Sequence, residues 1–344
     1  MANPGTLTVS GSLNTTDIII PISMGSRTNF NLLGNPFTSY VNSATFATTN
    51  SSLLSEETLW LWDGTKYVTY NAISPIELAP GQGFFVEASS SGNVTFAATN
   101  QSHQTTDTFI RAFENSYPTF ELFVERQDEK NSTKVFYVDG KTTSFDNGYD
   151  SKMFSEDTSD LKIFTELITN NKGKKLAIQT LPNSGFENMI VPVGLQAKAG
   201  KSIEISVKGT NFPEGINVYL EDRINNVFTN LSEENYTITL DKDANGIGQF
   251  YIHTSSERLS TDNVNQLLEN VSIYRSSKNQ LTIAGLQSEK ASLTLYSILG
   301  KKITTKKFKT NGTAIITLPE IASGVYVVEL SSELGKLSKK IIVQ

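Results

Sequence analysis

Residues able to do chemistry are few in this chain, and three groups stand out. Asp241, Asp243, Asn245 and Gly246, in "DKDANG", reproduce the D-x-D-x-N-G opening of a calcium loop, in which alternate oxygens wrap one hard cation. Ile252 stands where that loop needs a bidentate glutamate, and Asn-Gly is independently a favoured hairpin turn. The stretch therefore reads as a turn with calcium as the alternative, and Asp146 and Asp150 in "FDNGYDS" form a weaker second candidate. The second group is Trp60, Trp62, Tyr67 and Tyr70. Two tryptophans two apart on a strand share a face and could stack on a sugar, although such pairs more often pack on a core or a neighbouring strand. The third group is the histidines, His103 and His253, which with zero cysteines leave no thiolate nucleophile, no disulfide and no Cys-ligated zinc. Two separated histidines read as structural, and no motif singles out a catalytic pair of carboxylates, so a non-enzymatic chain is expected.

The elements that must position these residues are strands. The 344 residues, 38% hydrophobic and 19% charged, suffice for two or three packed domains and are too apolar for disorder. No run approaches the ~18–20 apolar residues that span a bilayer. The start shows no basic stretch followed by an apolar one, so no signal peptide is visible, as expected of a cytoplasmic protein or of a piece of a longer exported chain. A net charge of -6 argues against nucleic acid. From Val271 onward, however, 11 Lys and Arg face 4 acidic residues, leaving 18 against 31 before it, so a differently charged body begins near residue 270.

Almost every periodic segment alternates with period two, is rich in Val, Ile, Thr, Tyr and Phe, and is bounded by Asn, Gly, Asp or Pro. The expectation is an all-β chain of tandem Ig-like sandwich modules: residues 1–105 turn-rich, with a hairpin at Asp63-Gly64; residues 106–265 a β-sandwich; and residues 266–344 a linker and a small seven-stranded domain. "YTITL" and "GQFYIHT" are expected to pair across the acidic turn, and "STDNVNQLLENV" is expected to be a short connecting helix. Lysines alternating through "KKITTKKFK" and "SKKIIV" would guard sheet edges against pairing with other chains.

"LTLYSILGKKI", "LPEIASGVYVVEL" and "GKLSKKIIVQ", in that order and flush with the C-terminus, resemble the type A sorting domain of type IX secretion substrates. "NLLGNPFTSYVNSATF", "LWLWDG", "LAPGQGFFVEA" and "YLEDRINNVFTNLSEENYTITL" are similar to β modules of the large surface proteins that carry this signal. The resemblance implies export through the type IX translocon, delivery by an outer-membrane shuttle, and a sortase that removes the domain, with cleavage near 268–272, and joins the new end to anionic lipopolysaccharide. Matching positions are Leu295, Tyr296, Gly300, Gly324, Tyr326, Val328, Lys339, Lys340, Ile341 and Ile342. Glycines there suit turns and apolar positions suit packing, while the lysines and last strand are the candidates for direct recognition. The expected function is thus a secreted cell-surface part with stalk or adhesion modules serving adhesion, gliding motility or digestion. The alternative is a carbohydrate-binding accessory, meeting extracellular glycans, of a hydrolase whose catalytic domain lies upstream.

Overall fold

A computed structural model describes residues 10–103, 116–256, 271–277, 279–332 and 335–343. The described residues are all-β apart from short helical turns, and the chain divides into two compact units. The expected helix over residues 260–271 lies almost wholly outside the described residues. Among the described residues, no helix is long and apolar enough to cross a membrane.

The first unit comprises residues 1–115 with a return segment, Asn147–Ser151. Its three small sheets have two, three and four strands, the largest ordered Phe30–Gly34, Gly83–Glu87, Leu59–Trp62, Tyr67–Tyr70. Alternation puts Leu33, Phe84, Val86, Leu59 and Leu61 on one core around Phe46 and Phe96. A helix of one face, Ser43–Thr49, adds Phe46 to that core and starts at Asn42, whose Oδ1 accepts from Ala44 N and Thr45 N, both at 3.1 Å. The Asp63-Gly64 hairpin forms as expected: Leu59 pairs with Tyr70 and Trp62 with Tyr67, while Asp63 Oδ1 accepts from Thr65 N and Lys66 N at 2.8 Å. The return segment is held by Asn71 Nδ2 donating to Tyr149 O (2.6 Å) and by the Thr58 and Ser151 hydroxyls at 2.7 Å.

The second unit holds residues 116–146 and 152–344. Its larger sheet departs from an Ig-like sandwich in two ways. It is one continuous hydrogen-bonded path, and it contains a parallel pair, Glu129–Val138 with Leu176–Pro182. Inward residues from both halves of the path, such as Phe120, Tyr137, Val193, Ile205, Leu220 and Ile252, share one core, so the sheet curls on itself. The far edge strand, Tyr236–Thr239, reaches back to the other end: Tyr236 OH donates to Asp222 Oδ2 at 2.8 Å. The hairpin expected across the acidic turn does not form. Tyr236–Thr239 pairs with Ser202–Ile205, while Ala244–Ser255 pairs with Ile190–Ala197 and Asn217–Asp222. The turn is a crossing between sheet halves, with Leu240 buried in the core and its carbonyl accepting from Gly200 N at 2.9 Å.

The C-terminal sheet has five strands where seven were expected: Ser272–Ser277, Gln280–Ser297, Lys302–Thr317, Gly324–Ser332 and Gly335–Val343. "QLTIAG" and "ASLTLYSI" are one strand, as are "KKITTKKFK" and "TAIITLP". Their pairing shifts register at Ala284/Leu286 and Ser288/Ala291, and Gly285 and Gly312, at φ +87° and +110°, absorb the irregularity. Bulges bend a long strand where the sequence suggests an end. The last strand pairs antiparallel with Gly324–Ser332 and lies at the sheet edge, burying Ile341 and Val343 and leaving Ile342 62% exposed.

Candidate functional site

The four-stranded sheet of the first unit has two faces of different character. Register places Leu32 opposite Phe85, Phe85 opposite Trp60, and Trp62 opposite Tyr67, so all five side chains leave on the face away from the core. Trp62 is 55% exposed and meets Tyr67 edge-on at 5.0 Å, Tyr67 meets Phe85 at 6.0 Å, and Leu32 is 66% exposed. An apolar, largely aromatic stripe results, ending at the Asp63 carboxylate in the hairpin turn. Burial raises the Asp63 pKa, but hydrogen bonds from Lys66 and Thr65 outweigh it and hold the carboxyl below its usual range. Aromatic surface beside a fixed acceptor can stack on the C–H face of a sugar while taking hydroxyl hydrogen bonds.

Two of the four expected rings do not belong to this surface. Trp60 is fully buried and packs edge-on against Phe30 at 5.2 Å. Tyr70 points to the opposite face, into the core, where burial pushes its hydroxyl up to about 12. Phe85 and Leu32 are the members that sequence reasoning passed over. Their signal was the alternation in "GFFVE" and "FNLLG", which sends Phe84 and Leu33 inward and their neighbours Phe85 and Leu32 outward.

The acidic turn is already engaged with its own chain. Asp243 accepts from Ala199 N and Lys198 Nζ, each at 2.9 Å, and its carboxyl is held low by those two contacts. Asn245 Oδ1 accepts from Lys175 Nζ at 3.3 Å, and Asp241 is exposed. Asp241, Asp243 and Asn245 line a cleft of about 430 Å³ together with Gln249 and Thr313. Among the described residues, no group of three or more His, Cys, Asp or Glu is placed to hold a metal ion. Asp146 Oδ2 accepts from Thr142 N at 2.7 Å, and Asp150 is buried.

His103 is exposed, whereas His253 belongs to a network that sequence reasoning did not foresee. Arg223 donates through Nε and Nη2 to the two oxygens of Glu221 (2.9 and 3.0 Å), lies 3.6 Å over the Tyr251 ring, and leaves Glu221 Oε2 2.9 Å from His253 Nε2. Burial raises the Glu221 pKa, yet hydrogen bonds from His253 and Arg223 bring it below its ordinary value. The Glu221 carboxylate is engaged by the Arg223 guanidinium and the His253 ring, which suits a structural role.

In the C-terminal sheet, Leu295, Val328 and Ile341 are core residues. Gly300, at φ +81°, makes the turn after the exposed Ile298 and Leu299. Tyr296 lies opposite Val327, Gly324 lies opposite Val343, and Tyr326 donates to Ala322 O at 2.8 Å. Lys339 and Lys340 are exposed on the edge strand beside Ile342.

Comparison with known proteins bears on both parts. A family described as a domain of unknown function (DUF8693) matches residues 65–249, and the secretion system C-terminal sorting domain matches residues 276–344. No curated protein matches. The solved structure of a polysaccharide lyase aligns with 66% of this chain at 9% identity and a TM-score of 0.18, the alignment covering 40% of that chain. The sorting domain marks a protein secreted across the outer membrane by the type IX system and acting with that machinery. The chain belongs to the DUF8693 family and ends in a secretion system C-terminal sorting domain.

Proposed function

We propose that the residues ahead of the sorting domain form a non-enzymatic adhesion region, displayed at the cell surface, that binds extracellular glycan through the Trp62, Tyr67, Phe85 and Leu32 face. The observation that carries this reading is the exposure of Trp62 in ring contact with Tyr67, on a sheet whose other face already has its core. Trp62 and Leu32 are large apolar side chains exposed on one sheet face, and this supports reading that face as a contact surface. The sorting domain would deliver it through the translocon and the outer-membrane shuttle, with a sortase joining the passenger to anionic lipopolysaccharide.

On a glycan array, the wild-type chain is expected to give a specific signal that Trp62→Ala reduces at least about tenfold, as loss of one central aromatic anchor does elsewhere. Unchanged thermal melting would show that the variant is folded. No specific signal from the wild type, or equal signals from both proteins, would refute the assignment. The lysine-bearing end has its own test: removal of Lys339 to Gln344 from the full chain is expected to abolish surface delivery, and normal export of the shortened protein would rule out recognition at that strand.

A further inference from the structure

The sorting domain has a buried face that its own core does not account for. Ile273, Leu281 and Ile283 point into that core, and the register pairs Ser272 with Ala284 and Tyr274 with Thr282 on the other side of the sheet. In a free-standing domain this second face would meet water. Here Ala284 is fully buried, and Thr282 and Ser272 are 5% and 8% exposed.

Its cover comes from the curled sheet of the same unit. Ala284 and Tyr274 cluster with Phe164, Ile247 and Met153, none of which belongs to the curled sheet's own core. The ring of Phe164 lies over Gly194, where a Cβ would come within 2.0 Å of it. Beside this cluster two backbones touch: a Cβ at Gly248 would stand 2.6 Å from Gly312 Cα and 2.7 Å from Gly312 O. Thr313 Oγ1 donates to Ile247 O at 2.9 Å, and a Cβ at Gly173 would lie 3.0 Å from Tyr274 Oη. Glycines at 173, 248 and 312 thus permit these close approaches, and Gly248 and Gly312 also hold φ values of +124° and +110°.

We infer that the outer face of the curled sheet, around Phe164, Ile247 and Gly248, is a docking surface whose partner is this chain's own sorting domain. Apolar contact, backbone proximity and a side-chain hydrogen bond act together, as in a specific interface. The export machinery then meets the signal and the body preceding it as one unit, with the terminal strand held in a set pose by the docked face.

The chain has zero cysteines, so a single introduced thiol reports its own accessibility. In the full chain, Ala284→Cys and the near-isosteric Ser272→Cys are expected to react with a water-soluble aromatic disulfide reagent at least about tenfold more slowly than Ile315→Cys, since reaction requires local opening. Ile315, on the same domain, is 62% exposed. Adding Ile247→Asp, or the milder Thr313→Val, to Ala284→Cys is expected to raise its rate several-fold while the circular dichroism stays native. Thiols at 284 and 272 that react as fast as the one at 315 would overturn the inference, and so would a rate at 284 that neither second substitution changes.

Discussion

Trp60→Ala is expected to cost the first unit about 3–5 kcal/mol, the range for truncating a large buried aromatic side chain, whereas Trp62→Ala should change stability by less than about 1 kcal/mol. The two residues share a strand and a face, so the contrast isolates environment from propensity. Trp60 is completely enclosed and in contact with Phe30, and its removal leaves a cavity that a sheet cannot collapse to fill. Against a typical domain stability of about 5–15 kcal/mol, such a loss leaves the unit marginal. Urea denaturation followed by fluorescence measures it directly, because Trp60 and Trp62 are the two tryptophans of the chain. Trp62→Ala leaves Trp60 as the sole reporter of the buried site. Equal midpoints for Trp60→Ala and the wild type would contradict the burial.

Glu166→Gln should stabilise the protein at pH 8 by about 3 kcal/mol and change little at pH 4. The carboxyl is 4% exposed, and burial raises it from 4.5 to about 7, against the opposing effects of the Asn171 hydrogen bond (2.8 Å) and the Lys175 charge. Tyr251 and Tyr274 also sense its charge, and Lys162 acts on Lys175. The sign follows from linkage. The folded state holds the proton more tightly than the unfolded one, so the stability linked to this proton is fully present below pH 4.5 and is lost as pH rises towards 7. Glutamine carries no such proton, and the wild-type minus variant difference should therefore grow over that window and level off above it. Parallel stability curves for the two proteins from pH 4 to pH 8 would refute the assignment.

The sequence made local features legible and long-range ones not. The Asp63-Gly64 turn is encoded within a few residues and read from them, the terminal sorting motifs are legible through their resemblance to a known family, and the alternation of Phe84 with Phe85 is equally local although its outward member was passed over. The partner of Tyr236–Thr239 is not, because Ile203 and Ile238 meet across a stretch that two other strands occupy. Alternation told that Trp60 and Trp62 share a face, but exposure depends on what neighbours the face, and so one ring of the pair is buried and the other open. The two long bulged strands of the sorting domain were divided for a similar reason. A glycine that bends a strand and a glycine that ends one look alike until the partner strand is known. The carboxylates at Asp241 and Asp243 carried a ligand-like spacing, yet lysine and backbone donors from another segment decide what Asp243 holds.

The return of Asn147–Ser151 to the first unit makes that unit discontinuous in sequence. Its buried Asn71 and Thr58 find their hydrogen-bond partners in a stretch made after the opening strands of the next unit. A chain ending at residue 115 would leave those groups without them, so the aromatic face cannot be excised intact as one contiguous N-terminal piece. For a polypeptide that emerges from its N-terminus, the order of events is also constrained: the first unit can begin to fold early, but it closes only after part of its successor has appeared. The two units are therefore tied in time of folding, and a graft meant to transplant the glycan face should carry residues up to at least 151.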